Sequence, residues 1–484
     1  MIRFLRMRFI LENCSGKRSN TSVYCCDWMR RSAPPSYNSE YPAALRSAQI
    51  GSLWSPTSGT RGTLSEIAIY CSRTLVIIEF NMHSFKKRKK KLLIIAGAGS
   101  SIPFDMPSTG DINTLLSTYF QDCYRTDDSR SVDVYSYLRE VTNNLSNSNY
   151  EDILYDINLL GLISNPLNTL SSLINLPLSP NIRDVIFENV IPMNHDLFTT
   201  VVKMANDKIL EEFRARCLRL NRNTDIFNNL KKFINGLRYR YEVGIINLNY
   251  DDILSTACPY MFNGFNDVGE FKPQEVIYKD KWNFNYNIHG SVHYDMAGDE
   301  NSIHSIKWVS DLNSDFNGNS LGRNCQVTKE GMSHPTSAII TGYDKPNQLF
   351  RYPFSIFYSI LDRLVYEADK YMFIGYGFND YHLNKSFNRV SLGKNKSIFI
   401  ITLTEDKIQN PMKFRNDPWA KQVEEIFLAD KHNFISNKVG EKSCYTIGKL
   451  RPNYIEHHKD KLFSIWHHGI LSACENKDQI YKYL

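Results

Sequence analysis

Five apolar residues, Leu92-Leu93-Ile94-Ile95-Ala96, run directly into Gly97-Ala98-Gly99-Ser100-Ser101. The apolar run has no helical period and is short, so it reads as a strand buried on both faces. The glycines allow a tight turn after it. Beyond Pro103 and Pro107, apolar residues at 112, 115, 116, 119 and 120 predict a helix over 111–120, with Ser108, Thr109 or Asp111 available as its cap. Strand, glycine turn and helix together form the opening unit of an α/β sheet of the nucleotide-binding kind.

The pattern returns along the chain. Val243-Gly244-Ile245-Ile246-Asn247-Leu248-Asn249-Tyr250-Asp251 is an apolar strand ending in polar residues, and Tyr286-Asn287-Ile288-His289-Gly290-Ser291 is another. A strand over 337–341 precedes an amphipathic helix over 353–368. Then Tyr371-Met372-Phe373-Ile374 runs into Gly375-Tyr376-Gly377-Phe378-Asn379-Asp380, and a last strand is expected at 398–403. Such units predict an α/β fold, a Rossmann-like parallel sheet with helices on both faces. Its ligand would lie at the carboxyl ends of the strands, where the polar clusters fall. Residues 120–240 carry helical spacing and read as a helical insertion. Residues 406–484 read as a mainly helical extension, from spacing around 423–428 and 461–474.

Charge separates the first 81 residues from the rest. They hold nine Arg and one Lys against five acids, so they carry +5 of the net +6. They also contain Cys14, Cys25, Cys26 and Cys71 and the loop-like stretches 33–36 and 55–62. No uninterrupted apolar core follows the early arginines, which argues against a secretory signal. The favoured reading is a non-native or disordered extension, with the compact protein starting at Met82; a transit segment and an accessory domain are the alternatives. With the net charge gathered there, nucleic acid is not an expected partner, and the Lys86–Lys91 run reads as a solvated cluster. The longest apolar stretches fall well short of the roughly 18 to 20 residues that span a bilayer, so no membrane is expected.

Metal chemistry has little to stand on. The six later cysteines, Cys123, Cys217, Cys258, Cys325, Cys444 and Cys474, form no C-x-x-C pair, which removes a zinc ribbon or dithiol motif and suggests buried thiols in a reducing, cytoplasmic setting. His457-His458 and His467-His468 lack ligand spacing and read as a solvated helix face. His293, four residues after His289, falls in an expected loop and reads as structural. Asn379 and Asp380 suit helix caps.

Hydride transfer fits poorly. Ile102 stands where the dinucleotide fingerprint wants its third glycine, and Phe120 or Gln121 stands where a ribose-binding carboxylate is wanted. In this order, however, Gly97-Ala98-Gly99, Asn249-Tyr250-Asp251, Ile288-His289-Gly290-Ser291 and Gly375-Tyr376-Gly377-Phe378-Asn379-Asp380 resemble the sirtuin superfamily over about residues 90–405, and specifically its prokaryotic SIR2-like branch. That resemblance implies a catalytic domain over 82–405 that takes NAD+ as substrate and needs no metal. Gly97, Ala98, Gly99 and Ser100 match the loop that receives the diphosphate, where small residues let backbone N–H groups approach anionic oxygens. Asn249 and Asp251 match the residues that hold the nicotinamide ribose and the attacking water. His289 matches the catalytic histidine, with Gly290 and Ser291 beside it; Gly375, Tyr376 and Gly377 match the loop beside the adenosine ribose.

Three departures bear on the activity implied. The family's small hydroxyl residue in the later loop is replaced at Tyr376 and Gly377. No cysteine lies between His289 and Trp308, where deacylases carry a four-cysteine zinc module. Pro103-Phe104-Asp105-Met106 replaces their Pro-Asp-Phe-Arg order. Water is therefore the expected acceptor, and the branch implies an NAD+ hydrolase giving nicotinamide and ADP-ribose, used in antiphage defence by NAD depletion. A homo-oligomer and a companion ATPase or phage-derived trigger are implied with it. An NAD-dependent protein deacylase and a non-catalytic nucleotide-sensing or assembly module are the alternatives.

Overall fold

The computed structural model describes residues 88–123, 149–164, 195–296, 306–315, 337–341, 353–391, 396–404, 417–427 and 463–484, short pieces at 135–136, 138–139, 325–327, 333–335 and 455–457, and four strands before residue 82. The loops expected at 33–36 and 55–62, along with Cys444 and His458, lie outside the described residues. The chain divides into two units, Met1–Arg88 and Lys89–Leu484. In the first, Phe4–Glu12, Arg18–Cys26, Leu64–Cys71 and Thr74–Asn81 pair as an antiparallel sheet, in the order second, first, fourth, third.

The second unit is built on seven strands: β1 (Lys91–Ala96), β2 (Glu242–Asn247), β3 (Asn283–Asn287), β4 (Lys370–Ile374), β5 (Ser397–Ile401), β6 (Ile455–His457) and β7 (Phe463–Trp466). Their order is β6-β7-β5-β4-β1-β2-β3. All neighbours run parallel except β6, which is antiparallel to β7 at the edge. From β1 the chain builds outward to β2 and β3, then returns to lay β4 on the other side of β1. The winding direction therefore reverses between β1 and β4. Such a reversal opens a crevice at the carboxyl ends of the two central strands.

Strand periodicity explains why helices cover both faces. Leu92, Ile94 and Ala96 face one core, shared with α1 (Thr109–Cys123), α2 (Tyr150–Ser164), α3 (His195–Arg219) and α4 (Asp225–Arg240). Leu93 and Ile95 face the other, with α5 (Phe354–Glu367), α6 (Tyr381–Ser391) and α7 (Pro418–Phe427). Each of these β1 side chains is fully buried, a contribution of about 1.5–3 kcal/mol per large aliphatic residue. The cap of α1 is Ser108: its hydroxyl accepts from Asp111 N at 3.2 Å, while Asp111 accepts from Ser108 N at 2.8 Å. This reciprocal pair satisfies two donors at the helix start. Within the region read as an insertion, α4 buries Phe227, Leu230, Phe233, Ile234 and Leu237 in the β1 core and leads into β2, as a crossover helix does.

Three expectations are corrected. Residues 337–341 do not form a strand of the sheet; Ile339 makes an isolated bridge with Gly290, and Ile340 N donates to His289 O at 2.8 Å. Residues 463–466, inside the segment read as helical, form β7 alongside β5, so the sheet continues past 405. Ser464, Ile465 and Trp466 are buried in succession, which marks a strand covered on both faces, and the helix (α8, Gly469–Glu475) starts where Gly469 turns the chain at φ +73°. His467 is accordingly no part of a solvated helix face: it is fully buried, its Nδ1 2.8 Å from Thr404 Oγ1.

Candidate functional site

The loops that follow β1 and β4 meet backbone to backbone at the winding reversal. Gly97 N donates to Ile374 O at 2.9 Å and Gly99 N to Gly375 O at 3.0 Å. A Cβ on Gly97 would stand 2.8 Å from Gly375 O, and one on Gly375 would stand 2.2 Å from Gly99 C and Ser100 N. Gly375 also has φ +59°, which a side chain disfavours. The glycines are therefore required by the joining of two loops. The expectation that the N–H groups of 97–100 approach an anion changes accordingly, because Gly97, Gly99 and Ser100 all spend theirs on protein carbonyls, Ser100 N on Gly97 O at 2.9 Å. Ala98 is the exposed member of the turn. In the second loop Phe378 also sits at φ +57°, a conformation rare for a bulky residue, with its ring fully buried in the α5–α7 core.

Asn249 follows β2 and reaches across to the first turn. Its Nδ2 donates to Gly97 O at 3.0 Å and to Ser100 and Ser101 Oγ at 2.9 Å each. The carbonyl partner can only accept, which settles the orientation of the amide. With both N–H bonds engaged, Oδ1 is what Asn249 has to offer a ligand, and it can only accept. Behind it, Asn247 accepts from Asn249 N at 3.1 Å and donates to Asn287 Oδ1 at 2.9 Å, tying the ends of β2 and β3 together.

Asp251 is 1% exposed. Its Oδ1 accepts from Ile253 N at 3.0 Å, and its Oδ2 has no hydrogen-bond partner among the described residues. Burial pushes this carboxyl up to about 6; the Ser101 hydroxyl and the Ile253 N–H, which favour the anion, limit the rise. The group therefore changes charge close to neutrality.

His289 follows β3. Its Nε2 lies 2.8 Å from Tyr358 Oη on α5 and 3.0 Å from Asp380 Oδ2 at the start of α6. Asp380 Oδ1 accepts from Leu383 N at 3.2 Å, so the residue read as a cap does cap α6 and also faces the imidazole. Burial, followed by the Asp380 charge, pushes the Tyr358 phenol up, which keeps it a hydroxyl.

A cleft of about 460 Å³ collects these groups, within the range of small-molecule sites. Gly97, Ala98, Gly99, Asn249, Asp251, His289, Gly375, Tyr376 and Gly377 all line it. Ser100, Gly290 and Ser291 do not. Ser100 is buried with its Oγ donating to Gly97 O at 2.7 Å. Gly290, at φ +114°, packs where a Cβ would stand 2.4 Å from Ala338 O. Ser291 Oγ accepts from His293 N at 3.2 Å. His293 has its Nδ1 2.7 Å from Val309 O and its ring stacked on Trp308. Tyr376, expected beside an adenosine ribose, turns its hydroxyl to Asn384 Oδ1 at 2.8 Å, and its carbonyl accepts from Trp419 Nε1 at 3.2 Å.

Sequence reasoning missed Asp380 as a neighbour of His289, and it missed Tyr358, which faces the same ring, and Tyr150 and Glu151, which line the cleft. Asp380 carried a signal, a carboxylate directly after the glycine loop. The other three sit on helices without a motif. Among the described residues no group of three or more His, Cys, Asp or Glu could hold a metal ion, and no helix is long and apolar enough to cross a membrane.

No family model matches the chain, and no curated protein matches it. Among solved structures the chain is similar to a Sir2 homologue in complex with NAD, at 11% identity over 67% of this chain and 78% of that one, with a TM-score of 0.29. It is also similar to a Sir2 homologue mutant with ADP-ribose (11% identity, 65% and 80% covered, TM-score 0.28) and to Sir2Tm bound to a propionylated peptide (12%, 65% and 81%, TM-score 0.27).

Proposed function

We propose that the protein is an NAD+ hydrolase that breaks the nicotinamide–ribose bond and passes ADP-ribose to water. One observation carries this reading. Three separated segments, the joined glycine turns, Asn249 with Asp251, and His289, converge on one cleft at the winding reversal. These are the segments whose order resembles the SIR2-like branch.

The groups suit the chemistry. Nicotinamide departs as a neutral group from a cation, through a transition state with oxocarbenium character, so little acid assistance is needed. Asn249 Oδ1 would accept from a ribose hydroxyl or the attacking water and fix its direction. Asp251, with an oxygen uncommitted to the protein, would add a second acceptor. The water's oxygen bonds to the ribose carbon as the bond to nicotinamide breaks, and its proton passes to the His289 imidazole and on to solvent. Use in defence by NAD depletion, within a triggered assembly, follows from the family resemblance alone.

The test is chromatography of products after purified protein is mixed with NAD+, with and without extract of infected cells. Nicotinamide and ADP-ribose should appear, and Asn249→Ala and His289→Ala should each lower turnover at least about 100-fold with the fold intact. NAD loss at the wild-type rate in both variants would refute the site. Consumption of NAD that requires an acylated peptide would replace the reading with a deacylase. Tight binding of NAD without nicotinamide release would replace it with a sensor.

A further inference from the structure

A second cavity, of about 370 Å³, lies outside the cleft and shares no lining residue with it. Its wall includes Ser255 and Thr256 of the short helix Ile253–Ala257, Cys258 after that helix, Asn285 of β3, and His293 with Trp308. None of the described residues lining it is Asp, Glu, Lys or Arg. Burial pushes the Cys258 thiol up to about 12, so it keeps its proton and is no nucleophile. Two buried polar side chains in the wall retain acceptor capacity. Asn285 is 2% exposed; its Nδ2 donates to Ser255 Oγ at 3.3 Å, and its Oδ1 has no hydrogen-bond partner among the described residues. Buried polar atoms normally find partners, so an amide oxygen left over calls for a reason. His293 is 6% exposed, and its Nδ1 lies 2.7 Å from Val309 O, a carbonyl that can only accept, so this nitrogen carries a proton. Burial pushes the imidazole below its ordinary value and favours the neutral ring, which leaves a lone pair on Nε2.

We propose that this cavity is a second ligand site, one that takes a small, uncharged, planar molecule bearing N–H donors: a primary carboxamide or an amino-substituted heterocycle. The class follows from the wall. An ion would lose its hydration there with no counter-charge to replace it. Asn285 Oδ1 and His293 Nε2 are acceptors, so the ligand must supply donors. Trp308, stacked on the His293 ring with 4.3 Å between centroids, makes part of the wall aromatic, which suits a flat molecule. The volume falls within the range of small-molecule sites. The wall is also held from behind: Thr256 Oγ1 donates to Asp252 Oδ2 at 3.1 Å, Arg222 Nη2 donates to the same oxygen at 2.6 Å, and Asn285 N donates to Phe262 O at 2.9 Å. A wall fixed in advance lowers the cost of binding. The site uses no residue of the cleft, so it stands whether or not the protein hydrolyses NAD+.

Titration of the full chain, labelled with nitrogen-15 in its histidines, with benzamide and with adenine tests the site. The His293 Nε2 resonance should move saturably with each probe as that nitrogen accepts a hydrogen bond, while Nδ1 keeps its proton. N,N-dimethylbenzamide has the same ring and carbonyl but no N–H group, and it should bind about tenfold more weakly than benzamide, the effect of about one lost hydrogen bond. Asn285→Leu should weaken benzamide by a similar factor while the affinity for NAD+ stays at the wild-type value. The comparison of the two benzamides needs only the wild-type protein, so it decides the matter even if Asn285→Leu fails to fold. No saturable movement of the His293 signal with either probe, movement confined to His289 in the cleft, or equal affinity for the two benzamides would overturn the proposal, and so would unchanged benzamide binding in a folded Asn285→Leu variant.

Discussion

Replacing Asp251 by Asn removes one titrating proton and almost no volume, so it isolates the consequence of burying that carboxyl. The ordinary value for the group is 3.8, and burial raises it to about 6 in the folded protein. Below about pH 4 the folded and unfolded chains both carry the proton, and the group has no pH-dependent effect. Between 3.8 and about 6 the unfolded chain ionises while the folded one keeps its proton, so wild-type stability falls as pH rises. Above about 6 the loss is complete. A gap of about two pH units at about 1.36 kcal/mol each amounts to about 3 kcal/mol. Asn does not titrate, so the stability of Asp251→Asn relative to wild type should rise by about 3 kcal/mol between about pH 4 and about pH 8. Urea unfolding of both proteins across that range measures the difference, and the carbon-13 resonance of the labelled carboxyl reports the midpoint directly. The variant should lose turnover while it gains stability at alkaline pH, the usual cost of a functional group buried at a site. A stability difference that is flat with pH, or a carboxyl titrating near its ordinary value, would refute the reasoning.

Gly375→Ala should destabilise by about 2 kcal/mol or more, because the new methyl group collides with the first glycine turn at a left-handed φ. Scanning calorimetry checks it, and a wild-type midpoint would show that the loops part easily. Asp156 on α2 is raised to about 7, by burial first and then by the Asp152 charge. Its contribution has the same sign as that of Asp251 but extends further, so wild-type stability should continue to fall between about pH 6 and about pH 7, by an amount Asp156→Asn abolishes. Urea unfolding of the two proteins over that interval reads the effect.

Much of the sheet was legible because its information is local. Each central strand is a short unbroken apolar run, and a run covered on both faces needs no partner to be recognised. The glycines after β1 and β4 stood out for the same reason. β7 was misread because Phe463–Trp466 lies beside a genuine helix, α8, and four residues carry too little period to tell the two apart. The boundary drawn at 405 went with it. The polar turns after β2 and β3 pointed to Asn249, Asp251 and His289, and all three line the cleft. Ser100, Gly290 and Ser291 belong to the same motifs but turn inward, since adjacent residues in a tight turn point in different directions.

Period and punctuation in the chain alone determined that strands would be buried on both faces, that glycine turns would follow two of them, and that polar residues would gather at strand ends. Only the assembled sheet decided what those residues do. It placed the two glycine turns against each other, so that their N–H groups serve the protein, and it left Asn249 with an oxygen to offer. It also set Asp380 against His289. Local pattern reflects neighbours along the backbone, whereas a hydrogen bond between distant segments exists only once strand order has fixed which loops share an edge.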